Sequence, residues 1–170
     1  MNLLERIWNG WRAEYVVHGQ GVQRKSDASI FTQILRSDLT DEQSYIVHRG
    51  AKIFALMNAF PYTTGHLLVV PYREVADLEN LDPDETAELW STVTTAVKVL
   101  KSVYKPEAMN VGINIGEAAG GSIAQHLHVH VLGRWGGDTN FMVSTANTKI
   151  LPEALDVSAD RIRKAWANQS

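Results

Sequence analysis

Hydrophobic positions along the chain recur at two periods, and each change of period marks an element. Lys52-Ile53-Phe54-Ala55-Leu56-Met57 and Leu67-Leu68-Val69-Val70 are short, dense apolar runs. Between them Asn58 to Thr64 contains Pro61, Gly65 closes a turn, and Pro71 ends the second run. Apolar runs of this length between breakers predict two strands paired antiparallel. Ser44 to Val47 predicts a shorter strand before them. The period then lengthens: Leu89, Val93, Val97, Leu100 and Tyr104 recur every three or four positions, and Ala96 and Val103 widen the stripe. Asp82 suits the cap of this helix, Pro83 its first position, and Glu85 the capping-box position. Pro106 forbids extension much beyond Val103. Ile30-Phe31-x-x-Ile34-Leu35 predicts one or two further helical turns.

Period two returns after the helix. Met109, Val111, Ile113 and Ile115 share one face, and Asn110, Gly112, Asn114 and Gly116 the other. A glycine-rich stretch, Gly116 to Ser122, leads into a second alternation from His126 to Val131. Phe141-Met142-Val143 predicts one more strand, and Leu151, Leu155, Ile162 and Trp166 a C-terminal helical region. Residues 1–28 show no period, and Trp8, Trp11 and Tyr15 are expected to pack there as an N-terminal arm. Antiparallel strands with one long helix predict an α+β domain. The expected division is an arm over 1–28, a core over 29–145 and a helical extension over 146–170.

Composition narrows the function. With 45% apolar residues in 170, the chain can build a real core. Net charge is -3 and no long basic run is present, so nucleic acid is a poor partner. No apolar run approaches the roughly 20 residues that span a bilayer, so no membrane role is expected. Met1 to Arg6 begins no secretory signal of the usual form, and the cytoplasm is the expected compartment. The chain has no cysteine, which excludes disulfides, thiolate nucleophiles and Cys-ligated zinc.

Three of the six histidines, His126, His128 and His130, fall within five positions. On a strand that spacing sets three imidazoles on one face, with Leu127, Val129 and Val131 turned to the other. Adjacent imidazoles resist joint protonation, so one stays neutral near pH 7, as a nucleophile or a metal ligand requires. A His-x-His pair can hold zinc, with His66 or His48 added, but no carboxylate is interleaved. The glycine-rich stretch favours phosphate, because small residues let backbone N–H groups approach its oxygens and Ser122 adds a hydroxyl. It lacks G-x-G-x-x-G and precedes a strand, so neither a dinucleotide fold nor a P-loop fits. Nucleophilic histidine chemistry on a phosphate is the favoured reading. A metal hydrolase and a nucleotide-binding regulatory protein without turnover are the alternatives.

The segment Gly120-Gly121-Ser122-Ile123-Ala124-Gln125-His126-Leu127-His128-Val129-His130-Val131-Leu132 resembles the signature of the histidine-triad family. Asn58 to Pro71 resembles that family's other strand-turn-strand block, and the likeness spans about residues 27–145. The resemblance implies an α+β fold around an antiparallel sheet, paired as a homodimer with a tetramer left open. It implies dinucleoside polyphosphate, nucleoside phosphoramidate or adenylylated substrates, attacked at the α-phosphorus by the middle histidine. On that pattern His128 is the nucleophile, His130 contacts the phosphate and assists the leaving group, and His126 supports the triad with His66 beside it. Asn58 matches a position that holds ribose hydroxyls. Asn114, Gly121 and Ser122 match residues on the phosphate chain.

Gly120 to Ser122, Arg134 to Phe141 and Ile7 to Arg12 look most like the compact bacterial diadenosine tetraphosphate phosphorylases. These discharge the nucleotidyl–histidine onto inorganic phosphate and so release ATP and ADP. Hydrolysis by water is the neighbouring expectation. Arg134, Thr139 and Asn140 are candidates to hold the incoming phosphate, and no cofactor is required. Two departures stand out. Ser29-Ile30-Phe31-Thr32 occupies the place of a Cys-x-x-Cys pair in many bacterial relatives, so their structural zinc is expected to be missing. Gly133 stands before Arg134 where proline is frequent. Ile53, Phe54, Met57 and Phe60 are candidates for an apolar base pocket, with the core the favoured place for the first three.

Overall fold

A computed structural model describes residues 28–119, 123–138 and 151–169. The N-terminal tryptophans, Gly121, Ser122, Thr139, Asn140 and the strand expected at Phe141 to Val143 lie outside the described residues.

Among the described residues five strands form one antiparallel sheet: β1 (Ile46–Arg49), β2 (Ile53–Met57), β3 (Leu67–Pro71), β4 (Ala108–Ile113) and β5 (Val129–Arg134), in the order β1-β2-β3-β5-β4. The helices are α1 (Ile30–Arg36), α2 (Pro83–Tyr104) and α3 (Leu155–Ala167). This is the expected α+β arrangement. Period-two alternation sorts the strands into two apolar layers. Ile53, Ala55, Met57, Leu67, Val69, Leu127, Val129 and Val131 face α2 and α3, where Leu89, Val93, Ala96, Leu100 and Ile162 meet them. Ile46, Phe54, Leu56, Leu68 and Val70 face the other way and are covered by Phe31 of α1.

α2 forms where its stripe and caps predict. Glu85 reaches back to accept the N–H of Asp82 at 2.9 Å, satisfying a donor that the first turn leaves unpaired. The helix runs one residue past Val103 and ends where Lys105 turns left-handed, φ 48°, ahead of Pro106. Ile162 and Trp166 of α3 belong to the same core as α2, so the C-terminal helix closes the main layer.

Three strand limits differ from expectation, each for a local reason. β1 starts two residues late, because Thr40–Ser44 is a hydrogen-bonded turn and Tyr45 sits at φ 58°. β4 ends at Ile113 rather than Ile115, ahead of Gly116 at φ 78°. β5 begins at Val129, so only His130 of the three histidines lies on the strand. The β3–β5 register ends at the pair Val69 and Val129. Two positions further, Pro71 has no N–H to offer the ladder. Leu127 donates instead to the Val75 carbonyl at 2.6 Å. The chain stays extended enough that Leu127 still enters the α2-facing core.

Candidate active site

The three triad histidines gather on the α1-facing side of the sheet, joined by His66. Phe31 abuts the rings of both His126 and His128, with centroids 5.4 and 5.3 Å away. The His128 and His130 rings meet edge-on at 5.0 Å, and His66 and His130 lie 5.1 Å apart. Leu68 pairs with His130 across β3 and β5, which brings His66, just before β3, within reach of the triad.

Hydrogen bonds settle which nitrogen of each ring carries the proton. His128 Nδ1 lies 2.8 Å from the His126 carbonyl. A carbonyl only accepts, so Nδ1 is protonated and Nε2 of a neutral ring holds the free lone pair. His66 Nδ1 accepts the Tyr62 N–H at 3.0 Å, with the Asn58 amide 3.3 Å away. The proton of His66 therefore sits on Nε2, which donates to His130 Nδ1 at 2.9 Å. That leaves the His130 proton on Nε2, buried and without a partner among the described residues. A buried N–H without an acceptor is costly, and its position marks where a ligand oxygen belongs.

All three triad rings are held in the neutral form. Burial pushes His128 below the ordinary 6.5, only partly offset by its bond to the His126 carbonyl. Burial lowers His126 as well, against the opposing pull of the Pro71 carbonyl and Glu74. Burial and the neighbouring His128 push His130 down to about 4.

The other expected residues take distinct places. Asn58 is buried; its Oδ1 accepts the Phe60 N–H at 2.9 Å, and its backbone bonds to His66. It thus braces the turn that carries His66. Asn114 follows β4, and the β4–β5 register continued by one step sets it opposite His128. Arg134 clamps its own loop, donating to both Asp138 oxygens at 2.6 and 2.9 Å and to Asn110 at 2.9 Å. Ile53 and Met57 pack under α2, while Phe54 lies on the triad side.

Three features near the triad were not singled out from the sequence. Tyr62 stacks on His130 with ring planes 20° apart, and its exposed position gave no periodic signal. The Pro71 carbonyl accepts from His126 Nε2 at 2.8 Å. Glu74 approaches the triad through Ser29 and Thr32. Among the described residues, no group of His, Cys, Asp and Glu side chains is placed to hold a metal ion. A cavity of about 490 Å³ lined by Tyr45, Met57, Pro61 and Gly65 backs the His66 turn, but no triad histidine lines it.

Residues 40–137 match the model of the HIT domain. The chain belongs to the histidine-triad family. This HIT protein is 42% identical to an AP-4-A phosphorylase of Mycobacterium tuberculosis over 171 residues, covering 98% of this chain and 86% of that one. It is 35% identical to an asymmetrical bis(5'-nucleosyl)-tetraphosphatase of Schizosaccharomyces pombe over 91 residues, 54% of this chain and 50% of the other. Its fold matches a Zn-bound histidine triad family protein from Mycobacterium smegmatis with a TM-score of 0.67 and 22% identity, covering 84% and 95% of the two chains.

Proposed function

We propose that this HIT protein cleaves diadenosine tetraphosphate with inorganic phosphate, through a nucleotidyl–histidine, to give ATP and ADP. The observation that carries the chemistry is the bond from His128 Nδ1 to the His126 carbonyl. It holds an unprotonated Nε2 ready for attack, while the neighbouring His130 ring, its centroid 5.0 Å from that of His128, carries a buried Nε2–H as a donor.

In the first step His128 Nε2 attacks the α-phosphorus, an N–P bond forms, and the P–O bond to the bridging oxygen breaks. Covalent catalysis divides one displacement into two easier ones. The leaving chain departs as a nucleotide anion, so it needs a hydrogen bond more than a proton. His130, neutral well below pH 7, suits that role: an oriented donor of this kind is worth on the order of 3 kcal/mol of barrier. In the second step a phosphate oxygen attacks the same phosphorus from the vacated side, a P–O bond forms, and the N–P bond breaks, its electron pair returning to a neutral His128.

The choice of phosphate over water, and of adenine over other bases, is supported by the likeness to the mycobacterial phosphorylase along nearly the whole chain. A homodimer is proposed through β4, an outer strand of the sheet whose Val111 is 42% exposed. Such an edge invites pairing with a second copy. No described helix is long and apolar enough to cross a membrane, and the cytoplasm is the proposed compartment.

The test is product analysis with diadenosine tetraphosphate, with and without phosphate. ADP and ATP appearing only with phosphate supports phosphorolysis, and AMP in both cases assigns a hydrolase. A His128→Ala variant is expected to lose turnover by on the order of 10⁴-fold or more, and full activity in it removes His128 as the nucleophile. Tight AMP binding with no turnover of any dinucleoside polyphosphate by the wild type makes the chain a binding module instead.

A further inference from the structure

His126 has no part in bond making above, yet its ring is fully buried and both nitrogens are engaged. Nε2 lies 2.8 Å from the Pro71 carbonyl, so it carries the proton. Nδ1 of the neutral ring is then a bare acceptor. It faces Ser29 Oγ at 2.6 Å, and the Ser29 hydroxyl donates to it.

Ser29 is anchored in turn. It caps α1, its Oγ accepting the Thr32 N–H at 3.2 Å. Its own N–H donates to both Glu74 oxygens, at 3.1 and 3.0 Å. The Thr32 hydroxyl donates to Glu74 Oε2 at 2.6 Å and lies 3.1 Å from Ser29 Oγ. One carboxylate, 42 positions from Thr32 in sequence, thus gathers Thr32 and the Ser29 that meets His126. The line continues beyond the ring, because the His126 carbonyl is the acceptor of His128 Nδ1–H.

This donor set does not fit zinc. Ligands around a tetrahedral zinc stand roughly 3.4 Å from one another, given bonds of about 2.1 Å. Here Ser29 meets His126, and Thr32 meets Glu74, at 2.6 Å, which is hydrogen-bond contact. Neutral hydroxyls also offer zinc far less than thiolates do. Protons, not a metal, join these four side chains.

We propose that Glu74, Thr32 and Ser29 are positioning residues, a brace that holds His126 and, through its carbonyl, keeps the attacking nitrogen of His128 in line. The brace has a direction. Thr32 spends its proton on Glu74 and Ser29 spends its proton on His126, so none lies between the two hydroxyls. A glutamine at 74 reverses the order. Its amide donates to Thr32, Thr32 to Ser29, and Ser29 still to His126, while the amide oxygen accepts the Ser29 N–H. Alanine removes the anchor altogether. The activity readout rests on the nucleotidyl-transfer reading above, whereas the ring geometry stands apart from it.

The experiment compares Glu74→Ala with Glu74→Gln by kinetics on diadenosine tetraphosphate and by ¹⁵N spectra of the histidine rings. Glu74→Ala is expected to lower kcat by about tenfold to a hundredfold, as a displaced nucleophile does, with KM within about twofold of wild type. Its His128 signal is expected to lose the pure Nδ1–H form. Glu74→Gln is expected to keep both ring tautomers and kcat within about threefold. If Glu74→Ala lowers only the melting temperature and leaves kcat and both tautomers unchanged, Glu74 is merely a helix anchor and the proposal is overturned. Should Glu74→Ala not fold, Ser29→Ala decides: unchanged kcat and tautomers there overturn the brace, and a mixed His128 tautomer supports it. If the wild type turns over no dinucleoside polyphosphate, the functional reading fails, and the ring spectra alone judge the brace.

Discussion

Lowering the pH from 8 to 5 is expected to weaken the folded state through His130, and a His130→Gln variant isolates the effect. Burial, with His128 beside it, pushes the ring from 6.5 down to about 4. The folded chain therefore keeps His130 neutral at a pH where the unfolded chain has already taken up the proton. The advantage of the folded state is intact above pH 6.5 and is lost as the pH falls toward 4. At pH 5 the loss amounts to about 2 kcal/mol, a ceiling, because the ring is not wholly sealed from water. Urea unfolding of both proteins at pH 8 and pH 5, followed by tryptophan fluorescence, measures it. Wild type is expected to lose about 2 kcal/mol more than the variant between the two conditions, since carboxylates and the remaining histidines are common to both. Equal losses, to within about 0.5 kcal/mol, would mean that His130 titrates as it does in water, and its role as a neutral donor would fall.

Two further substitutions test the frame around the site. Gly65 sits at φ +76°, and a Cβ there would lie 2.6 Å from a Tyr104 ring carbon. Gly65→Ala is expected to cost about 2–4 kcal/mol, or roughly 5–15 °C in Tm, and a calorimetric shift below about 2 °C refutes the close packing. Val111→Lys on β4 is expected to convert the proposed dimer to a monomer in sedimentation at little cost to stability. A dimer that persists unchanged places the interface elsewhere.

What the sequence disclosed was chemistry local to each segment. The stripe from Leu89 to Tyr104 and the Asp82–Glu85 spacing lie within one helix, so α2 was legible nearly to its last residue. The apolar runs of β2 and β3 were legible for the same reason. The His126–His130 alternation showed which rings share a side, although the strand holds only the last of them. Contacts made between segments left no such trace. The donation from His66 to His130 depends on the β3–β5 register, which pairs Leu68 with His130. Ser29 and Thr32 stood out only because cysteine was missing there. Glu74, a single acidic residue in an irregular stretch, carried no pattern, since its meaning arises across 45 positions from Ser29.

The acceptor that orients the His128 ring is a main-chain oxygen two positions upstream. No exchange of side chain can delete that oxygen, so genetic damage to the ring's tautomer must come indirectly, by bending the chain between 126 and 128. Variants that silence this enzyme without touching its histidines should therefore cluster in whatever keeps that short stretch straight. A library screened for such losses would trace the hidden supports of the triad.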